Sequence, residues 1–96
     1  MNSKQRAYLR GLANDYEPVF SIGKAGITPE LCDAVSDALE KRELIKVSVQ
    51  KNCPGEVREY CDTLAERTKA EPVTVVGRKF VIYRRSKEKP SIELPR

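Results

Sequence analysis

Apolar residues near the start of the chain recur at helical spacing. Leu9, Leu12, Ala13 and Tyr16 stand at i, i+3, i+4 and i+7, one stripe of an amphipathic helix expected from about Ser3 to Asn14 with Ser3 as its N-cap. Arg6 and Arg10 fall along one edge of that stripe, where their stems can pack and their guanidiniums reach outward. After Pro18 the pattern changes to a short apolar run, Val19, Phe20 and Ile22, which ends at Gly23 and predicts a short strand. Thr28, Pro29 and Glu30 then supply a cap, a first-turn proline and a charge that complements the helix dipole. The helix they start runs to about Arg42, with Leu31, Ala34, Val35, Ala38 and Leu39 inward and Glu30, Asp33, Asp37 and Glu40 on the opposite face.

From Leu44 to Val49 the period drops to two. Ile45, Val47 and Val49 share one side and Lys46 and Ser48 the other, so a second strand is expected, joined to the first by a parallel crossover. Asn52-Cys53-Pro54-Gly55 breaks the chain, and Val57, Tyr60, Cys61, Leu64, Ala65 and Thr68 give a third helical stripe. Pro72–Val76 and Lys79–Arg84, β-branched and aromatic, flank Gly77-Arg78 and read as an antiparallel hairpin. The order α-β-α-β-α-β-β predicts a small single α/β domain, a mixed four-stranded sheet packed by helices. The domain is expected over residues 1–85. Residues 86–96, polar and punctuated by proline, are expected to form a loosely held tail.

Composition narrows the function more than the fold. The 96 residues allow one core, and with 40% hydrophobic and 33% charged residues the chain should fold alone. No apolar run is long enough to span a bilayer and the first residues lack the apolar stretch of a secretion signal, so a cytoplasmic location is expected. Cys32, Cys53 and Cys61 show no Cys-x-x-Cys spacing and histidine is absent, which argues against a disulfide framework and a zinc site. Three buried, reduced thiols are expected instead.

The net charge of +4 is unevenly spread. Residues 1–26 carry four basic and two acidic side chains, residues 27–72 seven and ten, and residues 73–96 seven and two. If the fold joins the two basic ends, they make a patch able to neutralise phosphates.

Catalysis finds little to work with. Without histidine there is no Ser-His or Cys-His pair, and no Gly-x-x-x-x-Gly-Lys-Ser/Thr phosphate loop is present. The carboxylates are spaced as solvated helix faces. No enzymatic activity, metal or cofactor is expected. Gly23-Lys24-Ala25-Gly26 is more informative, because it joins a strand to a helix whose first N–H groups are unpaired and carry partial positive charge. Two glycines let the backbone approach a phosphate and Lys24 adds a full charge, the logic of the Gly-x-x-Gly clamp in KH-type RNA binders. The same glycines also suit a plain tight turn. Arg78 and Lys79 at the hairpin turn, and Arg84 and Arg85 at its exit, add cations, with Tyr83 between as a packing or stacking ring.

Leu9-Arg10 in a basic first helix, Pro18 ahead of Ile22-Gly23-Lys24-Ala25-Gly26, Glu43-Leu44-Ile45-Lys46-Val47, and Val76-Gly77-Arg78 followed by Val81-Ile82-Tyr83-Arg84 occur in order along the chain. Together they resemble the YhbY family, the bacterial stand-alone form of the CRM RNA-binding domain, from about Lys4 to Leu94. The resemblance implies a fold similar to the C-terminal domain of bacterial translation initiation factor three. It also implies RNA binding, in bacterial relatives to precursors of the large ribosomal subunit, with the loop on Gly23–Gly26, the basic helix on Lys4, Arg6 and Arg10, and the hairpin cations Arg78 and Arg84. Lys79 and Arg85 are added on charge alone.

The leading expectation is an assembly factor that contacts ribosomal RNA. An alternative is an adaptor that docks a basic ribosomal protein, or another assembly factor, on the acidic faces of the second helix and of the third, where Glu56, Glu59, Asp62 and Glu66 sit mainly away from the apolar stripe. No membrane partner is expected.

Overall fold

Alternating strands can bury both sides only if something covers each, and here the two sides are covered unequally. The computed structural model describes Met1–Arg96. Its elements follow the expected order: α1 (Ser3–Ala13), β1 (Phe20–Ile22), α2 (Pro29–Arg42), β2 (Leu44–Val49), α3 (Val57–Thr68), β3 (Glu71–Val76) and β4 (Lys79–Tyr83). The sheet order is β1-β2-β4-β3, with β1 parallel to β2 and the other pairings antiparallel. The expected mixed four-stranded sheet is therefore present. No helix is long and apolar enough to cross a membrane.

α2 and α3 cover one face. The side of β2 carrying Ile45, Val47 and Val49 meets Val35 and Leu39 of α2 and Cys61, Leu64 and Ala65 of α3, with Ile22, Phe80 and Ile82, in a twelve-residue core. The other face carries a six-residue cluster, Leu9 and Ala13 of α1 on Leu44, Val73, Val81 and Tyr83. A bulge between Pro72 and Thr74 turns Val73 into this second cluster.

Local chemistry sets the element ends. Asn2, and not Ser3, caps α1: its Oδ1 accepts from Gln5 N at 2.8 Å while Gln5 Oε1 accepts from Asn2 N at 3.1 Å, a capping box that favours Asn2 by one position. Thr28 caps α2 as expected, accepting from Leu31 N at 3.1 Å. Gly77 has φ of +60°, which suits the Gly-first hairpin turn between β3 and β4. The α1 stripe is narrower than the periodicity predicts, since Leu9 and Ala13 are buried but Leu12 and Tyr16 are 38% and 40% exposed. Ala34 of α2 is likewise exposed. Cys53 and Cys61 are buried and Cys32 only half-buried, none in a disulfide.

Residues 86–96 are held, contrary to the expectation of a loose tail. Glu43, the single residue between α2 and β2, is wholly buried with φ of +66°. Its carboxylate accepts from Ser86 N (2.8 Å), Ser91 N (2.8 Å), Ser91 Oγ (3.1 Å) and Ile92 N (2.9 Å). Burial pushes the Glu43 carboxyl up, but these four donors outweigh it and hold the group below the usual carboxylate range. Glu40 is lowered too, by the Ser86 hydroxyl at 2.5 Å and the Lys87 N–H. Ile92 and Leu94 then pack against the smaller cluster, and Gln5 Nε2 donates to Pro95 O at 3.0 Å. Polar composition hides this docking because its acceptors lie more than forty positions upstream.

Candidate nucleic-acid interface

Parallel β1 and β2 end on the side where β3 gives way to β4, so three connections meet at one end of the sheet. They are Gly23–Gly26, the segment from Gln50 to Asn52, and the Gly77-Arg78 turn. Gly26 has φ of +70° and donates its N–H to Gly23 O at 2.9 Å, which closes a tight turn with Lys24 and Ala25 exposed at its apex. A Cβ on Gly23 would stand 3.3 Å from Gln50 Oε1, so a side chain there would displace Gln50. The turn is also held from beneath. Gln50 N donates to Ile22 O at 2.9 Å, and the buried Cys53 thiol lies 3.2 Å from both Ile22 O and Gly23 O. Lys24 therefore projects from a fixed platform directly before the N-terminus of α2.

Arg78 belongs first to the fold. Its Nε donates to Val49 O at 3.0 Å and its Nη2 to Gln50 O at 2.6 Å, which ties the hairpin turn to the end of β2. Its Nη1 has no protein partner. Lys79 is exposed next to it, and Lys51, which sequence reading missed, is exposed on the neighbouring connection. Arg10, in the last turn of α1, lines a hollow with Lys46 and Lys79, so the helix brings its C-terminal end to this same region. Neither of the two ion pairs in the molecule involves any of these cations.

The other expected contact residues are distributed differently. Arg84 is committed to the interior: its Nη1 donates to Ser36 Oγ (2.9 Å) and Thr68 O (2.7 Å) and its Nη2 to Ser36 O (2.7 Å), clasping α2 to α3. A guanidinium so occupied is a packing device, which corrects its reading as a contact group. Arg85 is exposed, but it follows the far end of β4 and lies beside the docked tail. Lys4 is in the first turn of α1, at the end where the Met1 amino group meets Glu71, and Arg6 is half-buried between the two ends. Tyr83 is buried, and burial raises its hydroxyl pKa, so its ring packs and does not stack on a ligand. Burial likewise pushes the Cys61 thiol up to about 11, which leaves it inert as a nucleophile. No cluster of His, Cys, Asp or Glu is arranged to hold a metal ion.

Comparison with known proteins identifies the family. The sequence model of the CRS1 / YhbY (CRM) domain matches residues 1–84. The chain belongs to the CRM family. Among its relatives, "Probable RNA-binding protein YqeI" of Bacillus subtilis is 37% identical over 95 residues, 99% of each chain. A Haemophilus influenzae protein named "RNA-binding protein" is 34% identical over 96 residues, all of this chain and 96% of the relative. The solution structure of the hypothetical protein SAV1595 from Staphylococcus aureus shares the CRM fold seen here, with a TM-score of 0.83, 47% identity and 99% coverage of both chains. The names in this family are those of RNA-binding proteins and not of enzymes.

Proposed function

We propose that this CRM domain binds structured RNA with the loop end of its sheet, and that its target in the cytoplasm is ribosomal RNA within precursors of the large subunit. The observation that carries the reading is the meeting of Lys24, on a rigid glycine turn before α2, with Lys51, Arg78 and Lys79, none of them in an ion pair. A glycine turn, a helix N-terminus and several full charges in one region suit phosphate oxygens. The names of the relatives support RNA as the partner, and the family resemblance supports the ribosomal target.

Co-sedimentation of the protein with ribosomal particles from its own cell extract tests this. Enrichment in large-subunit precursors, abolished by Lys24→Glu or Arg10→Glu, is the expected result. No association of the unmodified protein at low salt would overturn the ribosomal target.

The adaptor reading rests on a separate observation. Asp33 and Asp37 on α2 and Glu59 and Glu66 on α3 are exposed without cationic partners, and Asp62 has only Arg58 at 4.0 Å. Reversing Asp33, Asp37, Glu59 and Asp62 to lysine would abolish docking of a basic protein on these helices and leave RNA affinity intact or raised.

A further inference from the structure

α1 and the docked tail cover only half of their sheet face. Towards the loop end α1 covers only Val81 of one cross-strand row and leaves the next without a helix above it. One runs Thr74, Val81, Lys46 and then Val19, whose N–H donates to Lys46 O at 2.9 Å; the next runs Val76, Lys79, Ser48 and Ser21. Lys46 and Lys79 are diagonal neighbours on adjacent strands, close enough to act on one ligand. Arg10 and Asn14 rise beside them at the end of α1 and enclose a hollow of about 240 Å³ floored by Ala13 and Val81. It is lined by three cations and no carboxylate. Val76, 69% exposed, forms its rim.

Lys46 also lines the adjoining hollow, where the 40% exposed ring of Tyr16 stands beside Val19, Glu17 and Arg42. An apolar floor, a cationic rim and a neighbouring aromatic face are the parts that hold unpaired nucleotides, whose bases need surfaces to cover and whose phosphates need charge. A duplex, with its bases already stacked, has no use for the floor.

We propose that this open half-face binds an unpaired RNA strand running on from the Gly23–Gly26 edge, with phosphates on Arg10, Lys46 and Lys79 and a base against Tyr16. The inference rests on the RNA-binding function proposed above and adds to it the class of RNA.

The test compares a blunt RNA hairpin with the same hairpin carrying a single-stranded extension, by fluorescence anisotropy, with 2-aminopurine placed in the extension. The extension is expected to tighten binding about tenfold or more, the range for one stacked base, and the 2-aminopurine to be quenched. Lys46→Gln with Lys79→Gln should remove most of that gain, and Tyr16→Ala, at an exposed site that leaves the fold unchanged by circular dichroism, should remove the quenching. Equal affinity for the two RNAs, or a gain that survives all three substitutions, would overturn the half-face proposal while leaving the loop edge as the site. Failure of the unmodified protein to bind either RNA at low salt would instead overturn the RNA-binding function itself, and the present proposal with it.

Discussion

The two faces of the sheet divide the molecule's work. Under α2 and α3 lie twelve buried residues, among them Phe80, Leu39 and Leu64, in a core sealed by the Arg84 clasp. Under α1 lie six, topped up by Ile92 and Leu94 of the tail, and beyond them Lys46 and Lys79 face outward on bare strands. One face is continuous and apolar; the other stops half-way and becomes polar. A domain of this size can fold on one complete core, which frees part of the second face to present charge. Cations left without partners are the cost of readiness for an anion.

This division predicts a graded series of effects. On the covered face Leu64→Ala should cost about 2–5 kcal/mol in denaturant unfolding, because the side chain is fully buried and its removal leaves a cavity. Arg84→Ala comes next. It strips hydrogen bonds from Ser36 and Thr68 and should cost about 2–4 kcal/mol, with the salt dependence of RNA binding by the folded protein unchanged. An unchanged melting temperature with weaker RNA binding would return Arg84 to the contact surface.

On the half-covered face the tail should respond to pH. Glu43 is held below the usual carboxylate range when folded and titrates near about 4.3 when unfolded, so its contribution is complete above that value and is lost as pH falls through the lowered folded one. Amide exchange at Ser86, Ser91 and Ile92 should accelerate in that acid window before the α2 and α3 core opens. Glu43→Gln should lower stability by about 1–3 kcal/mol and flatten the acid dependence. Smallest in stability is Lys24→Glu, expected within about 0.5 kcal/mol of the unmodified protein in unfolding while lowering RNA affinity several-fold.

Much of this organisation is legible in the sequence because it is local. Period-two alternation in Leu44–Val49 predicts both the strand and its inward residues, and Thr28-Pro29-Glu30 announces α2. What escapes is set by contacts distant in sequence. Arg84 reads as a free cation until Ser36, 48 positions away, is seen to accept from it. The tail reads as loose because the Glu40 and Glu43 carboxylates that hold it belong to the turn after α2. Lys46 reads as the polar side of β2, but only the strand register shows that Lys79 stands beside it. Lys4 and Arg10 stand at opposite ends of one helix, and only Arg10 comes beside Lys46 and Lys79, a separation that charge counting along the chain cannot express.

The placement of the cations at the loop end is open to one direct measurement, the salt dependence of RNA affinity for the unmodified protein, Lys79→Gln and Arg85→Gln. With about five of the six cations at this end, Arg10, Lys24, Lys46, Lys51, Arg78 and Lys79, engaging phosphates, the logarithm of affinity should fall against the logarithm of salt with a slope of about −3.5 to −4.5. Lys79→Gln should reduce that slope by about 0.7–0.9 and Arg85→Gln should leave it unchanged. A slope near zero, or equal reductions from the two substitutions, would contradict the assignment of RNA binding to this end of the sheet.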